Sequence, residues 1–494
     1  MNDWLPIGVL HLDVKHGCVE ENREALAAYA QEAARRGAKI IVAPELAVSG
    51  YSFECRRHVA TCVERLVGAT FERLSPLAKH YGAYICAGIA ERDPTTDIYY
   101  NTALVVGPDG ELAARHRKVA SERRWACPGG VSRSNIFDTP WGRVGVLICA
   151  DSYFGLLPRS LAVDGVDLLL VLANWPPSGV DPRRVWRARA LENSFGVVGC
   201  NRTGHDCIMD CRACMSYVVT PTGDVLLDQS SETSSIWTVD YPLTGGRLPS
   251  EQREAAMARR RPENFAGLYL DVNGLDDFGG LWGLPPGGPL DIRCVVPESP
   301  EHAFSALESV ANECDGAPAL LIVPQGMGPF TEDQITPLVN GRPLGIIAEL
   351  AKQDGLRPVY GFISSSQHVT LPPGESAVTA DFGPARVAVV RPESLMHPEV
   401  AVALSKQGCD LLVTASDRFG PDDRLLFGVK CLERAAVAVA TPAGAMVCIP
   451  PVGHAPWKEE LTMGPGVCSA RVDTSAFRVK RFQDRVNMEA LLRR

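Results

Sequence analysis

The chain contains an approximate copy of itself, and this duplication constrains its fold more than any other feature. Residues 385–413 (ARVAVVRPESLMHPEVAVALSKQGCDLLV) align without a gap on residues 142–170 (GRVGVLICADSYFGLLPRSLAVDGVDLLL). Upstream, LLIVPQG (320–326) repeats the pattern of IIVAPEL (40–46), and downstream VKCLERAAVAVATPAG repeats RARALENSFGVVGCNRTG. The matching residues include Arg143/Arg386, Val144/Val387, Val146/Val389, Leu161/Leu404, Gly165/Gly408 and Asp167/Asp410. Three matches in the same order predict an internal duplication.

Each copy alternates short apolar runs with amphipathic segments. IGVLHLDV (7–14) predicts a strand, and NREALAAYAQEAARRG (22–37) predicts a helix with Asn22 as its N-cap. Further apolar runs follow, separated by turn signals and by helical stretches. This alternation predicts an α/β layered architecture.

The length of 494 residues predicts more than one domain. Between residues 271 and 289 the chain has six glycines and three prolines, a composition that predicts a linker rather than a helix or central strand. We therefore expect a first domain over 1–270, a linker over 271–289 and a second domain over 290–494.

Composition excludes several classes of partner. The net charge of −9 offers no basic excess for nucleic-acid phosphates, and no apolar run approaches the ~18–20 residues of a membrane span. The N-terminal residues lack the pattern of a secretory signal. The sequence therefore predicts a cytoplasmic protein with a small-molecule substrate, no nucleic-acid or membrane partner, and reduced thiols among its 16 cysteines.

The second copy acts as a control for the chemistry of the first. Glu45 is replaced by Gln325, Cys149 is replaced by Pro392, and no lysine in the second copy corresponds to Lys118. The apolar core positions are kept while these three polar groups are lost together. This pattern indicates that the three groups serve chemistry rather than folding.

Glu, Lys and Cys at three strand or loop ends form a complete hydrolytic set. A carboxylate takes the proton of a thiol as general base, and the thiolate attacks an amide or nitrile carbon. An ammonium group and the backbone N–H of the residue after the cysteine, here Ala150, stabilise the developing negative charge.

The motifs IIVAPELAVSGY, RHRKVA and GRVGVLICADSYF resemble, in order and spacing, the Glu, Lys and Cys motifs of the nitrilase superfamily of carbon–nitrogen hydrolases. The resemblance covers about residues 5–270. It implies Glu45 as general base, Lys118 as oxyanion stabiliser and Cys149 as nucleophile, with no cofactor or metal. It also implies a four-layer α-β-β-α sandwich for the first copy. We expect the second copy to be a degenerate, non-catalytic nitrilase-like domain that pairs with the first as a pseudo-dimer, with further homo-oligomer formation left open.

A fourth site residue follows from the family's frequent second glutamate. Glu122 in SERRWACPGG occupies that neighbourhood, with a surface acid pairing with Arg123 or Arg124 as the alternative interpretation. We expect Tyr51, Ala150 and Trp175 to contact the substrate. The predicted reaction is hydrolysis of a non-peptide C–N bond of a small linear amide or N-carbamoyl compound through a cysteine thioester, with release of ammonia or an amine.

Other functions stay open on the sequence. A nitrile hydrolase or a glutaminase-like ammonia supplier would use the same residues. Cys207, Cys211 and Cys214, in a C-x3-C-x2-C spacing, suggest a metal-cluster protein. The second copy alone suggests a scaffold pseudoenzyme.

Overall fold

The structure is a computed structural model of the chain. It describes residues 3–314, 316–351, 358–453 and 455–493.

The chain forms two compact units. Unit 1 is Met1–Arg260 together with Arg485–Leu491, and unit 2 is Arg261–Asp484 together with Leu492–Arg494. The predicted division into a catalytic domain, a linker and a non-catalytic domain, and the predicted pairing of the two copies, stay predictions.

Unit 1 contains two six-stranded sheets. The first has the strand order β12-β1-β2-β3-β4-β5, and the second has the order β11-β10-β9-β8-β7-β6. Their strands are β1 Trp4–His11, β2 Ile40–Val42, β3 Tyr84–Arg92, β4 Tyr99–Val106, β5 Leu112–Arg117, β6 Ile136–Thr139, β7 Gly142–Ile148, β8 Leu168–Leu172, β9 Gly196–Cys200, β10 Ser216–Val219, β11 Val225–Gln229 and β12 Ser235–Pro242.

Unit 2 repeats this arrangement strand for strand. Its sheets have the orders β24-β13-β14-β15-β16-β17 and β23-β22-β21-β20-β19-β18. In the first sheet of each unit, three adjacent strands are parallel: β1, β2 and β3 in unit 1, and β13, β14 and β15 in unit 2. In the second sheet the parallel strands are β7, β8 and β9 in unit 1, and β19, β20 and β21 in unit 2. The strands are β13 Pro289–Val296, β14 Ala319–Ile322, β15 Leu344–Leu350, β16 Val359–Ser364, β17 His368–Thr370, β18 Ala377–Phe382, β19 Ala385–Val390, β20 Leu411–Ala415, β21 Ala436–Thr441, β22 Gly444–Ile449, β23 Lys458–Met463 and β24 Gly466–Asp473.

Helices cover the sheets. They are α1 Val19–Arg35, α2 Arg56–Val59, α3 Ala69–Tyr81, α4 Leu156–Val163, α5 Pro182–Asn193, α6 Glu251–Ala258, α7 Phe278–Trp282, α8 Ala303–Asn312, α9 Glu332–Val339, α10 Pro392–Leu395, α11 Pro398–Lys406, α12 Pro421–Gly428 and α13 Met488–Leu491. Within the described residues, no helix is both long and apolar enough to cross a membrane.

Alternating side chains on β13 show how the layers of unit 2 are built. Ile292 and Cys294 join a core with Val387 and Leu411 of the other sheet, whereas Val295 packs with residues of α8 and α9. Because successive side chains of a strand point to opposite faces, one face contacts a sheet and the other contacts helices. The predicted mixed α/β fold with layered sheets is confirmed.

Two local predictions were wrong. Helix α1 begins at Val19, before Asn22, because the Asn22 side chain bonds the main chain of Lys15 and Val48 instead of capping the helix. The segment 271–289, for which composition predicts no helix, contains the one-turn helix α7, whose N-cap Asp277 accepts a hydrogen bond from the Gly280 N–H.

Candidate active site

Glu45 lies in the turn that follows β2, and its side chain is fully buried. The next residue, Leu46, has a φ of 49°, in the left-handed region. The turn packs directly on Gly88 of β3, where an added Cβ would lie 2.3 Å from Leu46 N and 2.8 Å from Glu45 Cα. Gly88 is therefore required for the position of the Glu45 backbone.

Substitution Gly88→Ala is expected to displace this turn, since the clashing atoms belong to the backbone and cannot rotate away. We expect a loss of about 1–3 kcal/mol in the free energy of unfolding and of about 10²-fold in kcat. Calorimetry and steady-state kinetics would measure both. Gly130→Ala is the matched control, because a Cβ there meets nothing within 4 Å. Equal kcat for the two variants would contradict the prediction.

Lys118 directly follows β5 and lies between two carboxylates. Its Nζ donates to Glu45 Oε1 at 2.7 Å and to Glu122 Oε1, and its side chain is 2% exposed. Because a buried ammonium needs charged partners, the two carboxylates hold Lys118 at this point.

Glu122 is a buried member of the site. The Tyr51 hydroxyl donates to Glu122 Oε1 at 3.0 Å, and Lys118 donates to the same oxygen. The alternative interpretation, a surface acid that pairs with Arg123 or Arg124, is therefore wrong. The sequence could not show this, because a charged run such as SERRW reads as exposed.

Asn101 on β4 is a site residue that sequence reasoning missed. Its Nδ2 donates to Glu45 Oε1 at 2.7 Å and to Glu122 Oε2 at 3.0 Å, so one amide joins both carboxylates. Its Oδ1 is buried without a hydrogen-bond partner among the described residues. The only signal in the sequence was an asparagine at the start of the largely apolar run NTALVV (101–106).

The environment separates the two carboxylates in acidity. Burial raises the pKa of Glu45 above its ordinary value. Burial also acts on Glu122, but the Lys118 ammonium and the Asn101 amide outweigh it and hold the pKa of Glu122 below the ordinary value. Burial would lower the pKa of Lys118, but the Glu122 and Glu45 carboxylates outweigh it and raise that pKa well above normal. Glu45 is thus the carboxylate better suited to exchange a proton near neutral pH.

Cys149 lies at the end of β7, where the strand turns into the 3₁₀ turn Cys149–Ser152. Its φ of 46° is in the left-handed region, which costs energy for a residue with a Cβ. The Ser152 hydroxyl donates to Cys149 O at 2.7 Å and holds this turn. Burial, with a further contribution from the Glu45 charge, raises the pKa of Cys149 well above its ordinary value. At neutral pH the thiol is therefore protonated and needs a base.

One backbone N–H links Cys149 to Glu45. The Asn174 N–H donates to Glu45 Oε2 at 2.8 Å, and the Asn174 main chain also acts against burial by lowering the pKa of the Cys149 thiol. The Asn174 side chain donates to Glu45 O at 2.9 Å. Asn174 follows β8, and β8 is the parallel neighbour of β7. The adjacent ends of these two strands therefore place Asn174, and the Glu45 carboxylate that it binds, on the same side of the sheet as Cys149.

Asp151 fixes the loop after Lys118 to the turn that carries Cys149. Its Oδ1 accepts from the Val119 N–H at 3.0 Å and the Ala120 N–H at 2.7 Å. Its Oδ2 lies 2.7 Å from Nε2 of His116, a second residue that sequence reasoning missed. The Lys118 and Cys149 segments therefore hold a fixed position relative to each other.

The three predicted substrate contacts differ in their surroundings. Tyr51 is joined to Glu122 as described, and Ala150 is the second residue of the 3₁₀ turn. Trp175 is buried, its indole N–H donates to Val180 O at 2.9 Å, and its ring lies 5.8 Å from that of Trp186. Their roles as substrate contacts stay predictions.

The three cysteines of the C-x3-C-x2-C spacing do not share one environment. Cys207 is exposed, whereas Cys211 and Cys214 are buried. The Cys214 thiol donates to Trp175 O at 3.0 Å. Across the described ranges, no three His, Cys, Asp or Glu side chains are grouped as a metal site.

Comparison with known proteins places unit 1 in a family. A family model described as carbon-nitrogen hydrolase matches residues 7–246. A probable nitrilase of Schizosaccharomyces pombe is 34% identical over 238 residues, which cover 46% of this chain and 84% of that protein. A nitrilase of Pyrococcus abyssi is 34% identical over 241 residues, covering 48% and 89%. An omega-amidase of Xenopus tropicalis is 30% identical over 255 residues, covering 49% and 89%.

These relatives share the reaction class that the buried Glu, Lys and Cys groups predict, and most of each relative's length aligns with this chain. The chain therefore belongs to the carbon–nitrogen hydrolase family, within the nitrilase superfamily, and is a hydrolase that acts on C–N bonds.

Proposed function

We propose that the chain hydrolyses a small linear amide or N-carbamoyl compound through a thioester on Cys149. One observation carries this proposal: a buried ammonium donates to a buried carboxylate of raised pKa, and this carboxylate also accepts from the Asn174 N–H, next to the strand end that carries a thiol at a left-handed turn. No residue of this set is needed for the fold, since unit 2 has the same strand order without them.

Acylation begins with proton transfer from the Cys149 thiol to Glu45 while the sulfur attacks the carbonyl carbon. The carbonyl oxygen becomes an oxyanion, stabilised by the Lys118 ammonium and the Ala150 backbone N–H. Collapse of the intermediate breaks the C–N bond, and the leaving nitrogen takes the proton from Glu45. Ammonia or an amine departs, and the acyl group remains on sulfur.

Deacylation repeats these steps with water. Glu45 removes a proton from the water molecule, and the hydroxide oxygen attacks the thioester carbon. The C–S bond breaks, the Cys149 sulfur takes the proton back from Glu45, and the acid product leaves. Glu122 remains ionised throughout and keeps Lys118 charged and in place.

The names of the relatives indicate two substrate classes that this chain could share. Two of the relatives above are named as nitrilases and one as an omega-amidase. Substrate selection depends on the segments that carry Tyr51 and Trp175. The cytoplasmic location predicted from composition fits the mechanism, because the Cys149 thiol must stay reduced.

Ammonia release from the purified full chain tests the proposal across three panels: linear amides, N-carbamoyl compounds and nitriles. We expect turnover in the amide or N-carbamoyl panel that Glu45→Gln and Cys149→Ala abolish. Turnover confined to nitriles would replace the proposed substrate class, and turnover of glutamine above all other amides would favour an ammonia supplier. No turnover in any panel would contradict the proposal.

The pH profile tests the role of Glu45. Activity requires the ionised carboxylate, and the ionised fraction rises as pH increases through its pKa. Because burial raises that pKa, the acid limb of kcat/KM is expected above the ~4.3 of a free glutamate. Asn101→Leu removes a hydrogen bond that lowers the pKa of Glu45, so the limb should move to higher pH by about one unit.

The control for this measurement is Asn135→Leu. Asn135 is also buried, but its amide donates to Val146 O at 3.2 Å and not to a carboxylate. Its acid limb should coincide with that of the unmodified chain. An unshifted limb in Asn101→Leu would show that the titrating group is not Glu45.

A further inference from the structure

Unit 1 carries a cavity at the opposite end of β7 from Cys149. It has a volume of about 400 Å³. It lies at the start of β7, whereas Cys149 follows the end of that strand. Its lining includes Asp138, Arg143, Gly165, Asp167, Arg247 and Arg253. None of these residues belongs to the proposed catalytic set.

Unit 2 has the same framework at the corresponding place. Arg143 Nε donates to Asp138 Oδ1 at 2.9 Å, and Arg386 Nε donates to Asp381 Oδ1 at 2.7 Å. The backbone N–H of each arginine donates to the aspartate before the next parallel strand. This bond joins Arg143 to Asp167 at 3.0 Å and Arg386 to Asp410 at 2.9 Å.

A second arginine completes the framework in each unit. Arg253, after the last strand of unit 1, bonds Asp167 Oδ1 at 3.1 and 3.2 Å. Arg478, after the last strand of unit 2, bonds the two oxygens of Asp410 at 2.8 Å each. The two surfaces are therefore built from the same types of residue, although Arg253 bonds one oxygen of its aspartate and Arg478 bonds both.

In unit 2 this surface is covered by the C-terminal residue of α7, Trp282, and the three residues that follow it. A Cβ added at Gly408 would lie 3.0 Å from Leu284 Cδ2 and 3.3 Å from Trp282 Cδ1, so both side chains rest on this glycine. Arg386 Nη2 donates to Trp282 O at 3.2 Å. Arg478 Nη1 donates to Pro285 O at 3.1 Å. Apolar side chains and two main-chain carbonyls thus occupy the surface.

In unit 1 the same groups face the cavity. A Cβ added at Gly165 would meet only the side chain of Arg143 within 4 Å. Arg143 Nη2 has one contact, at 3.5 Å, with Asp138. Arg253 forms its hydrogen bonds through Nε and Nη2. Its Nη1 corresponds to the nitrogen of Arg478 that donates to Pro285 O, and this Nη1 has no hydrogen-bond partner among the described residues.

We infer that this cavity binds a peptide turn of another polypeptide, with an apolar side chain on Gly165 and main-chain carbonyls on Arg143 and Arg253. Charge supports a neutral ligand over an anion, because the three arginines of the lining face three carboxylates, Asp138, Asp167 and Glu254. Main-chain carbonyls accept from guanidinium groups without adding a charge, and the end of a one-turn helix leaves its last carbonyls available for such bonds. The fitting chemistry is that of Trp282–Pro285: a large apolar residue followed by glycine, an apolar residue and proline.

A peptide with the chain's own sequence from residue 277 to residue 287, DFGGLWGLPPG, is the probe. It would be capped at both ends, labelled with fluorescein and titrated with the full-length chain while fluorescence polarisation is recorded. We expect saturable binding to the unmodified chain. The same peptide with Trp282→Ala should bind at least tenfold more weakly, because it lacks the side chain that covers the glycine.

The protein variant Arg143→Ala should weaken binding at least tenfold, as expected for loss of one hydrogen bond from a charged donor. Arg35→Ala is the control, because Arg35 is an exposed arginine on α1, outside the cavity. The Arg35→Ala chain should bind the peptide as tightly as the unmodified chain does. Hydrolase activity, where the substrate screen provides an assay, should be unchanged in both variants, which shows that unit 1 is folded. Absence of saturation up to 1 mM peptide, or equal binding by Arg143→Ala and the unmodified chain, would overturn the inference.

Discussion

A Cys149→Ala chain is expected to lose at least about 10⁴-fold in kcat on any substrate that the intact chain hydrolyses. The thiol is the only group of the proposed set that forms a bond to the substrate, and loss of a covalent nucleophile has effects of this size or larger. KM should change little, because the Cys149 side chain contributes little binding surface. Steady-state kinetics on the substrate found in the ammonia screen would measure both parameters.

Mass spectrometry makes the same prediction at the level of the intermediate. The intact chain, quenched in acid during turnover, should carry one acyl group on the peptide that contains Cys149, and Cys149→Ala should carry none. Cys86→Ala is the matched control, since Cys86 is also a buried thiol of unit 1, on strand β3 of the other sheet. Retention of kcat within tenfold by Cys149→Ala, or an acyl group on a different cysteine, would contradict the proposed nucleophile.

The strand that carries Cys149, the proposed nucleophile, was predictable because the duplication separates folding from chemistry. GRVGVLICADS and ARVAVVRPES form equivalent strands, β7 and β19, with the same parallel neighbours in their sheets. An apolar alternation is enough to specify such a strand, so the sequence alone indicates both the strand and the residue at its end. The left-handed backbone of Cys149 left no trace in the sequence, since strained conformations are imposed by tertiary contacts.

The partners of the catalytic groups were harder to predict because they depend on long-range packing. Asn101 and Glu45 are separated by 56 residues, and nothing near Asn101 in the sequence indicates a carboxylate partner. His116 reads as an exposed strand residue beside two arginines, yet it contacts Asp151 in the interior. Polar contacts of this kind are set by which strand ends meet, and the sequence indicates the strands more clearly than their register.

The return of the C-terminal residues to unit 1 was also not predicted. Arg485 donates to Pro128 O at 3.2 Å, and Arg260 bonds the carbonyl of Leu491. A run of seven residues, Arg485–Leu491, is too short to show a periodicity that would indicate its packing partner. Such attachments follow from a few hydrogen bonds to the main chain, which any arginine could form.

Substitution Lys118→Met is expected to lower stability as well as activity. The methionine matches the lysine stem in size, but it leaves Glu45 and Glu122 without their shared cation. The side chains of these two glutamates are only 0% and 5% exposed, respectively. Removal of one partner from a buried ion pair costs about 3–5 kcal/mol. In addition, kcat should fall by about 10²–10³-fold through loss of the oxyanion stabiliser.

The loss of stability in Lys118→Met should depend on pH in a definite direction. Without the ammonium, burial raises the folded-state pKa of both carboxyls above the unfolded value near 4.3. The folded chain then binds more protons than the unfolded chain between these two pKa values, so stability decreases as pH rises through this range. Calorimetry at pH 5 and pH 8 should show a larger decrease in Tm relative to the unmodified chain at pH 8.

A second substitution identifies the charge responsible. In the unmodified chain Glu122 is the carboxylate of lowered pKa, and it depends most on Lys118 for that state. Lys118→Met combined with Glu122→Gln should therefore recover most of the Tm at pH 8, while activity stays low because the oxyanion stabiliser is still absent. A Tm for Lys118→Met that equals that of the unmodified chain at both pH values would show that neither buried carboxylate depends on the Lys118 ammonium for its charge. In that case the assignment of Glu122 as the permanent counter-ion of Lys118 would fail.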